Sequence, residues 1–236
     1  MVCQSSDKKD KRLRSSVLIR SASTTIVIDT TPDFRYQMLR SSVGHLDAVV
    51  FTHSHKDHIA GLDDIRAYNF FSQCPMQLFA NEETAHAIQR DFYYAFSEKK
   101  YPGIPELDLH VIDNHPFSVG NLHLTPIQVR HLHMGVTGYR IGNFTYITDA
   151  NFIEASEKEK IRGSEVLVIN ALRQEKHLSH FTLQEAIALA TELNIPHTYF
   201  THISHQMGLH EEINQSLPKG MQLAHDGLIL SVNKTP

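Results

Sequence analysis

A mixed α/β domain is what the sequence predicts, and three observations point there. Short apolar runs with strand periodicity alternate with helix-like segments along most of the chain. No tract of linker composition interrupts them, and no segment repeats. The length of 236 residues suits one layered domain, so a single domain over 1–236 is expected.

The elements follow in order. Residues 1–20 carry six basic side chains (Lys8, Lys9, Lys11, Arg12, Arg14, Arg20) against Asp7 and Asp10, and such a run is expected to be a solvated arm. Two β-like runs, Ser16–Arg20 and Thr25–Asp29, read as a hairpin. Thr31 is placed to cap a helix with Pro32 at its first position and Met38 and Leu39 on its apolar face. Asp47–Phe51 (D-A-V-V-F) reads as a buried strand that stops at a histidine-rich loop. A helix over Leu62–Gln73 and a strand over Met76–Ala80 come next. Asn81 then caps an amphipathic stretch that runs to Phe96.

The segment Tyr101–Pro105 (Y-P-G-I-P) breaks the pattern, and β runs follow at Leu107–Ile112, Phe117–Val129, Gly138–Ile141 and Phe144–Thr148. Val166–Ile169 reads as a strand, and Thr182-x-x-Glu185 is a capping box opening a helix to Leu193. A strand at His197–Thr201, a helix at Leu209–Gln215 and two closing strands at Met221–Ala224 and Leu228–Val232 complete the chain.

Composition narrows the function classes. The formal charge of −4 argues against a global basic field for nucleic acid. No run approaches the ~18 apolar residues of a membrane span, and nothing resembles a secretory leader, so a cytoplasmic protein is expected. Cys3 and Cys74 are too few for a disulfide scaffold. Histidine, at 17, outnumbers glycine, at 11, which makes a metal site the first thing to look for.

The strongest signal is Thr52-His53-Ser54-His55-Lys56-Asp57-His58, an H-x-H-x-D-H motif beginning where the Asp47–Phe51 strand ends. Imidazole and carboxylate are the donors that zinc and similar divalent ions prefer. Two histidines one residue apart can share one ion, and the Asp-His pair reaches a neighbouring position. That spacing suggests a two-metal site.

H-x-H-x-D-H after a strand, with Asp29 closing an earlier one, resembles the metallo-β-lactamase superfamily. Later segments extend the resemblance: V-R-H-L-H-M with His131, Y-I-T-D-A with Asp149, and F-T-H-I-S-H with His202. The resemblance implies a four-layer αββα sandwich in which His53, His55 and His131 hold one ion and Asp57, His58 and His202 the other, with Asp149 bridging. His133 lies two residues from His131 and competes with it; G-Y-R (Gly138–Arg140) at a family-like distance favours His131. Apart from the resemblance, Asp149 reads as a strand-end carboxylate and His202 as a buried histidine.

Asp149 at the bridging position, where the antibiotic hydrolases use a thiolate, and the retained Asp57-His58 pair select a branch. The segments D-K-K-D-K-R-L-R-S-S, G-Y-R-I-G-N-F-T-Y-I-T-D and T-H-I-S-H-Q-M-G resemble the group containing the phosphodiesterase that opens phosphoribosyl 1,2-cyclic phosphate. That resemblance implies a dinuclear hydrolase, with Zn or Mn, acting on a cyclic phosphodiester. It implies catalytic roles for Asp57 and His180, the latter in H-L-S-H-F-T as a general acid with His177 competing. It also matches Cys3 and His205 to a structural zinc site. The chain, however, starts at Met1-Val2-Cys3, without the usual first strand and the two further cysteines, and two ligands fall short of the four such a site needs.

Arg35, Arg140 and Arg173 are candidate phosphate clamps, and Tyr93, Tyr94, Phe96 and Tyr101 could stack on a substrate. The expected partner is a small phosphodiester, with neither membrane nor nucleic acid; a homodimer stays open. The alternatives are a tRNA 3′-processing endonuclease, a thioester or lactone hydrolase, and a non-catalytic metal-binding scaffold.

Overall fold

The computed structural model describes residues 2–99 and 101–232. The chain forms two compact units, divided between Leu13 and Arg14 and again between His123 and Leu124. The central unit is Arg14–His123; the split unit joins residues 2–13 to 124–232.

In the central unit, β1 (Val17–Arg20), β2 (Thr25–Ile28), β3 (Ala48–Val50), β4 (Met76–Ala80) and β5 (Leu107–Val111) form one sheet in that order. The β1–β2 hairpin is antiparallel and the other pairs are parallel. All three residues of β3 are fully buried, as an inner parallel strand requires. The helices are α1 (Phe34–Arg40), α2 (Lys56–Ile59), α3 (Arg66–Ser72), α4 (Glu82–Asp91) and α5 (Tyr93–Phe96). Asn81 accepts from the Thr84 amide at 2.9 Å and so caps α4, while Glu82 and Glu83 sit at the favourable end of its dipole. The core of this unit gathers Val27, Phe34, Val49, Phe51, Ile59, Leu62, Leu78 and Ile88.

The split unit carries β7 (Leu122–His131, starting at the boundary), β8 (Met134–Ile141), β9 (Phe144–Ile147), β10 (Phe152–Ile153), β11 (Val166–Asn170), β12 (His197–Thr201) and β13 (Met221–Leu223); β6 (Phe117–Val119) precedes them in the central unit. Their order is β10-β7-β8-β9-β11-β12-β13. The β10–β7–β8–β9 pairs are antiparallel and β9–β11–β12–β13 are parallel. Helices α6 (Ala155–Ile161), α7 (Leu183–Glu192) and α8 (His210–Ser216) complete it. The capping box of α7 is formed as read: Thr182 Oγ1 accepts from the Glu185 amide, and Glu185 accepts from the Thr182 amide. Two sheets with their helices are the content of the αββα fold class.

Several expectations need correcting. The helix expected from Pro32 starts at Phe34, because Thr31 Oγ1 accepts from the Asp33 amide and holds a turn there. Leu62–Gln73 is a 3-10 turn, Leu62–Ile65, running into α3, and it stops at Gln73 in the left-handed region. The helix from Asn81 breaks at Phe92 before α5. Leu228–Val232 forms no strand. The N-terminal run is not a solvated arm: Asp10 is buried and accepts from the His210 amide at 2.8 Å. Within the same unit, Arg12 donates to the Ala224 carbonyl, and the Leu13 amide donates to Asp226.

Candidate metal centre

In the central unit the histidine-rich loop leaves the carboxyl end of β3, beside the end of β2. Asp29, the residue after β2, is fully buried with φ 67° and donates its amide to the Val50 carbonyl at 2.9 Å. Its carboxylate accepts from the Thr52 amide at 2.8 Å, from Thr52 Oγ1 at 2.8 Å and from His58 Nδ1 at 2.7 Å. Because Thr52 Oγ1 gives its proton to Asp29, it accepts from His53 Nδ1, 3.0 Å away. One carboxylate, directly for His58 and through Thr52 for His53, thus fixes the tautomer with the proton on Nδ1, the one in which Nε2 is the ligating nitrogen. Burial pushes the Asp29 carboxyl up, and His58 and Thr52 pull against that rise.

Helix α2 begins immediately after His55 and turns the next two donors towards each other, Asp57 Oδ2 lying 3.7 Å from His58 Nε2. The ring of His53 lies 4.7 Å from that of His55 and 4.2 Å from that of His58. After α2 the chain passes so close to Thr31 that only glycine fits at Gly61, where a Cβ would stand 2.1 Å from the Thr31 carbonyl oxygen. No helical signal marks α2 in the sequence, since four residues are too few for periodicity to show.

In the split unit the donors stand at the carboxyl ends of strands. Asp149 follows β9 and His202 follows β12; both are left-handed, with φ 56° and 53°. With Asp29, that makes three non-glycine donor-region residues in a sparsely populated conformation, the kind of local strain that collects at functional sites. Asp149 is buried; its Oδ2 accepts from Thr148 Oγ1 at 2.6 Å, and its Oδ1 lies 3.0 Å from His180 Nε2 and 3.3 Å from His202 Nε2. His131 Nδ1 donates to the carbonyls of Asp149 and Ser179 at 2.9 and 2.8 Å, which sets the same tautomer. Donor atoms of His131, Asp149 and His180 all lie within 4.8 Å of one another.

The structure also separates the competitors. His131 and Met134 pair at the end of the β7–β8 hairpin, and the exposed His133 occupies its two-residue turn. His180 reaches Asp149, whereas His177 stands behind it, Nδ1 to Nδ1 at 3.2 Å; burial, His180 and Arg173 push the His177 imidazole down. A buried Asn170 at the end of β11, unremarked in the sequence, clamps the Ala150 backbone through both side-chain atoms at 2.7 and 2.9 Å. It therefore holds the residue next to Asp149. Cys3 and His205 are exposed, and neither belongs to a group of three potential ligands among the described residues.

The candidate clamps are otherwise engaged. Arg140 donates to the carbonyls of Gly142, Lys160 and Arg162, and Arg173 to those of Glu175 and Lys176 and to Gln206. Arg35 is an exposed partner of Asp64. Of the aromatic segment, Tyr94 is tied to Asp63 at 2.6 Å, while Tyr93 and Tyr101 are exposed.

A β-lactamase superfamily domain model matches residues 24–203, and the chain belongs to the metallo-β-lactamase superfamily. Within it, the chain belongs to the PhnP-like group. It is 40% identical to a diphosphatase of the PhnP family of known crystal structure, with a TM-score of 0.90 over 97% of this chain and 87% of that one. It is also 37% identical over 230 residues to an octanoyltransferase of Porphyromonas gingivalis. The match covers 96% of this chain but 46% of that protein, so the chain spans about half the length of this curated relative. The short form of human tRNase Z shares the fold, at 16% identity and a TM-score of 0.74 over 93% of each chain. No helix among the described residues is long and apolar enough to cross a membrane.

Proposed function

We propose that the two units together make one hydrolase domain with a dinuclear centre, acting on a phosphodiester and preferentially a cyclic one. The observation that carries this is a pair of donor sets in which His58, His53 and His131 each have Nδ1 held by an oxygen acceptor, the tautomer suited to ligation through Nε2, in a chain resembling a PhnP-family diphosphatase. In this reading His53, His55 and His131 would hold one divalent ion and Asp57, His58 and His202 the other, with Asp149 a further ligand of the centre. Zinc and manganese both suit nitrogen and carboxylate donors. Such ions supply Lewis acidity towards phosphoryl oxygens and lower the pKa of water.

The chain's own residues do the rest. Asp29 holds His53 and His58 in the ligating tautomer, and Thr148 orients Asp149. Asp57 places its carboxylate at the edge of the site, where it can serve both as a ligand and in orienting the attacking water. His180, with a proton on the Nε2 that faces Asp149, is the group that protonates the departing alkoxide. We read the protein as cytoplasmic, and the substrate as a small molecule.

Phosphorus NMR of metal-loaded protein with a ribose 1,2-cyclic phosphate tests the reading. Ring opening to one monoester, abolished by a chelator, is the expected result; an unchanged spectrum with two metals bound overturns it. The octanoyltransferase relative favours a second reading, hydrolysis of an octanoyl ester or thioester at the same centre. Release of octanoate with an inert cyclic phosphate would select it.

A further inference from the structure

Leu132 and Leu178 stand where backbone and solvent both argue against leucine. Leu132 follows His131 and takes the first place of the two-residue β7–β8 turn, with φ 59°. Among the described residues it is the only apolar side chain in the left-handed region, which a glycine fills without strain. Leu178, two residues before His180, is 79% exposed, and Leu132 is 47% exposed. So little apolar area leaves water that packing does not account for these two side chains either.

Both are nonetheless held firmly, and by the same side chain. Asn151 Oδ1 accepts from the Leu132 amide at 2.9 Å, and its Nδ2 donates to the Leu178 carbonyl at 3.0 Å. The Asn151 amide donates to the Arg130 carbonyl at 2.8 Å, which ties the clamp itself to β7. The carbonyl of the next loop residue, Ser179, accepts from His131 Nδ1 at 2.8 Å. The hairpin turn and the loop that carries His180 are thereby joined, with the rings of His131 and His180 edge to face at 4.5 Å. Two anchored, exposed leucines therefore lie one and two residues from His131 and His180, and His180 faces the departing oxygen in the reaction proposed above. Anchoring lowers the entropy that a contact costs on binding, so the natural partner of this pair is an apolar group of a bound molecule.

We infer that Leu132 and Leu178 contact an apolar substituent of the departing alcohol, and so select phosphodiesters that carry one. This rests on the phosphodiesterase reading above, which puts His180 on the leaving side, and the test separates the two. Metal-loaded wild type, Leu178→Ser, Leu178→Met and Leu132→Gly are titrated calorimetrically with methyl phosphate and hexyl phosphate. Wild type should bind hexyl phosphate about tenfold more tightly than methyl phosphate. Leu178→Ser and Leu132→Gly should each lose most of that preference while methyl phosphate binds as before. Leu178→Met, which keeps the apolar volume, should retain it. Because glycine suits the backbone of the turn, the urea midpoint of Leu132→Gly should hold, and its lost preference is then not a lost fold. Equal binding of the two esters by wild type, or a preference that survives in both Leu178→Ser and Leu132→Gly, overturns the inference whatever the turnover. A preference that depends on the leucines in a protein that opens no phosphodiester sinks the hydrolase reading and leaves the apolar subsite standing. Phosphodiester opening without the preference sinks the subsite alone.

Discussion

The donors of the central unit and those of the split unit are organised by different chemistry. His53, His55, Asp57 and His58 lie within six consecutive residues, and one buried carboxylate sets two of the imidazoles. His131, Asp149, His180 and His202 come from separate strand ends and a loop; two carbonyls orient His131 and a hydroxyl orients Asp149, while His180 and His202 face the Asp149 carboxylate itself. A carboxylate behind an imidazole both orients it and raises its basicity, whereas a carbonyl mainly orients it. The first set therefore depends on a single residue, and the second spreads its dependence over several.

The largest effect expected from this contrast is at Asp29. Asp29→Ala leaves His58 Nδ1 and two Thr52 donors facing a cavity, and each buried donor left without its partner costs about 1–3 kcal/mol. Urea denaturation should show that loss, and metal competition titrations a fall in affinity of roughly 10–100-fold. If Asp29→Ala binds metal like wild type, the two sets do not differ in the way described. Gly61→Ala comes next, because the obstacle is the Thr31 backbone 2.1 Å away and cannot swing aside. Overpacking of this kind costs about 1–3 kcal/mol, and the displaced loop should weaken metal binding as well.

Asn170→Ala should do less to the site as a whole. Its two hydrogen bonds to Ala150 are lost, leaving a buried amide unsatisfied at about 1–3 kcal/mol. Because Ala150 keeps the bond from the Phe181 amide, Asp149 should shift rather than detach. Metal stoichiometry measured after partial chelation should then show one ion loosened more than the other. Equal loosening of both would argue that the sets respond as one.

The same contrast explains what could be read from the sequence. H-x-H-x-D-H announces itself because its donors are contiguous and follow an apolar run, and the capping box of α7 is a local pattern as well. Asp149 and His202 carry no local signal of ligation, and only the family resemblance marks them. Asn170 and the Thr52 relay were missed because their partners lie 20 or more residues away, set by the parallel register of β2–β3 and β9–β11. The N-terminal arm departs from its sequence pattern for a related reason. Its charges suggested solvent, but burial of Asp10 and Arg12 depends on contacts about 200 residues distant in the chain.

The smallest expected effect distinguishes neighbours that the sequence left in competition. His131 and His133 share a strand-like spacing, but His131 ends β7 with its Nδ1 proton given to two carbonyls, while His133 sits exposed in the hairpin turn. His133→Ala should therefore change stability by no more than about 0.5 kcal/mol, as exposed substitutions generally do. Metal affinity and stoichiometry should stay at wild-type values. His131→Ala should instead lose an ion while keeping the hairpin, since the His131–Met134 pairing is made by the backbone. Metal content after gel filtration, compared between the two variants, decides it. If His133→Ala is the one that loses metal, the turn must rearrange on binding, and the split unit's donors are less preorganised than those of the central unit.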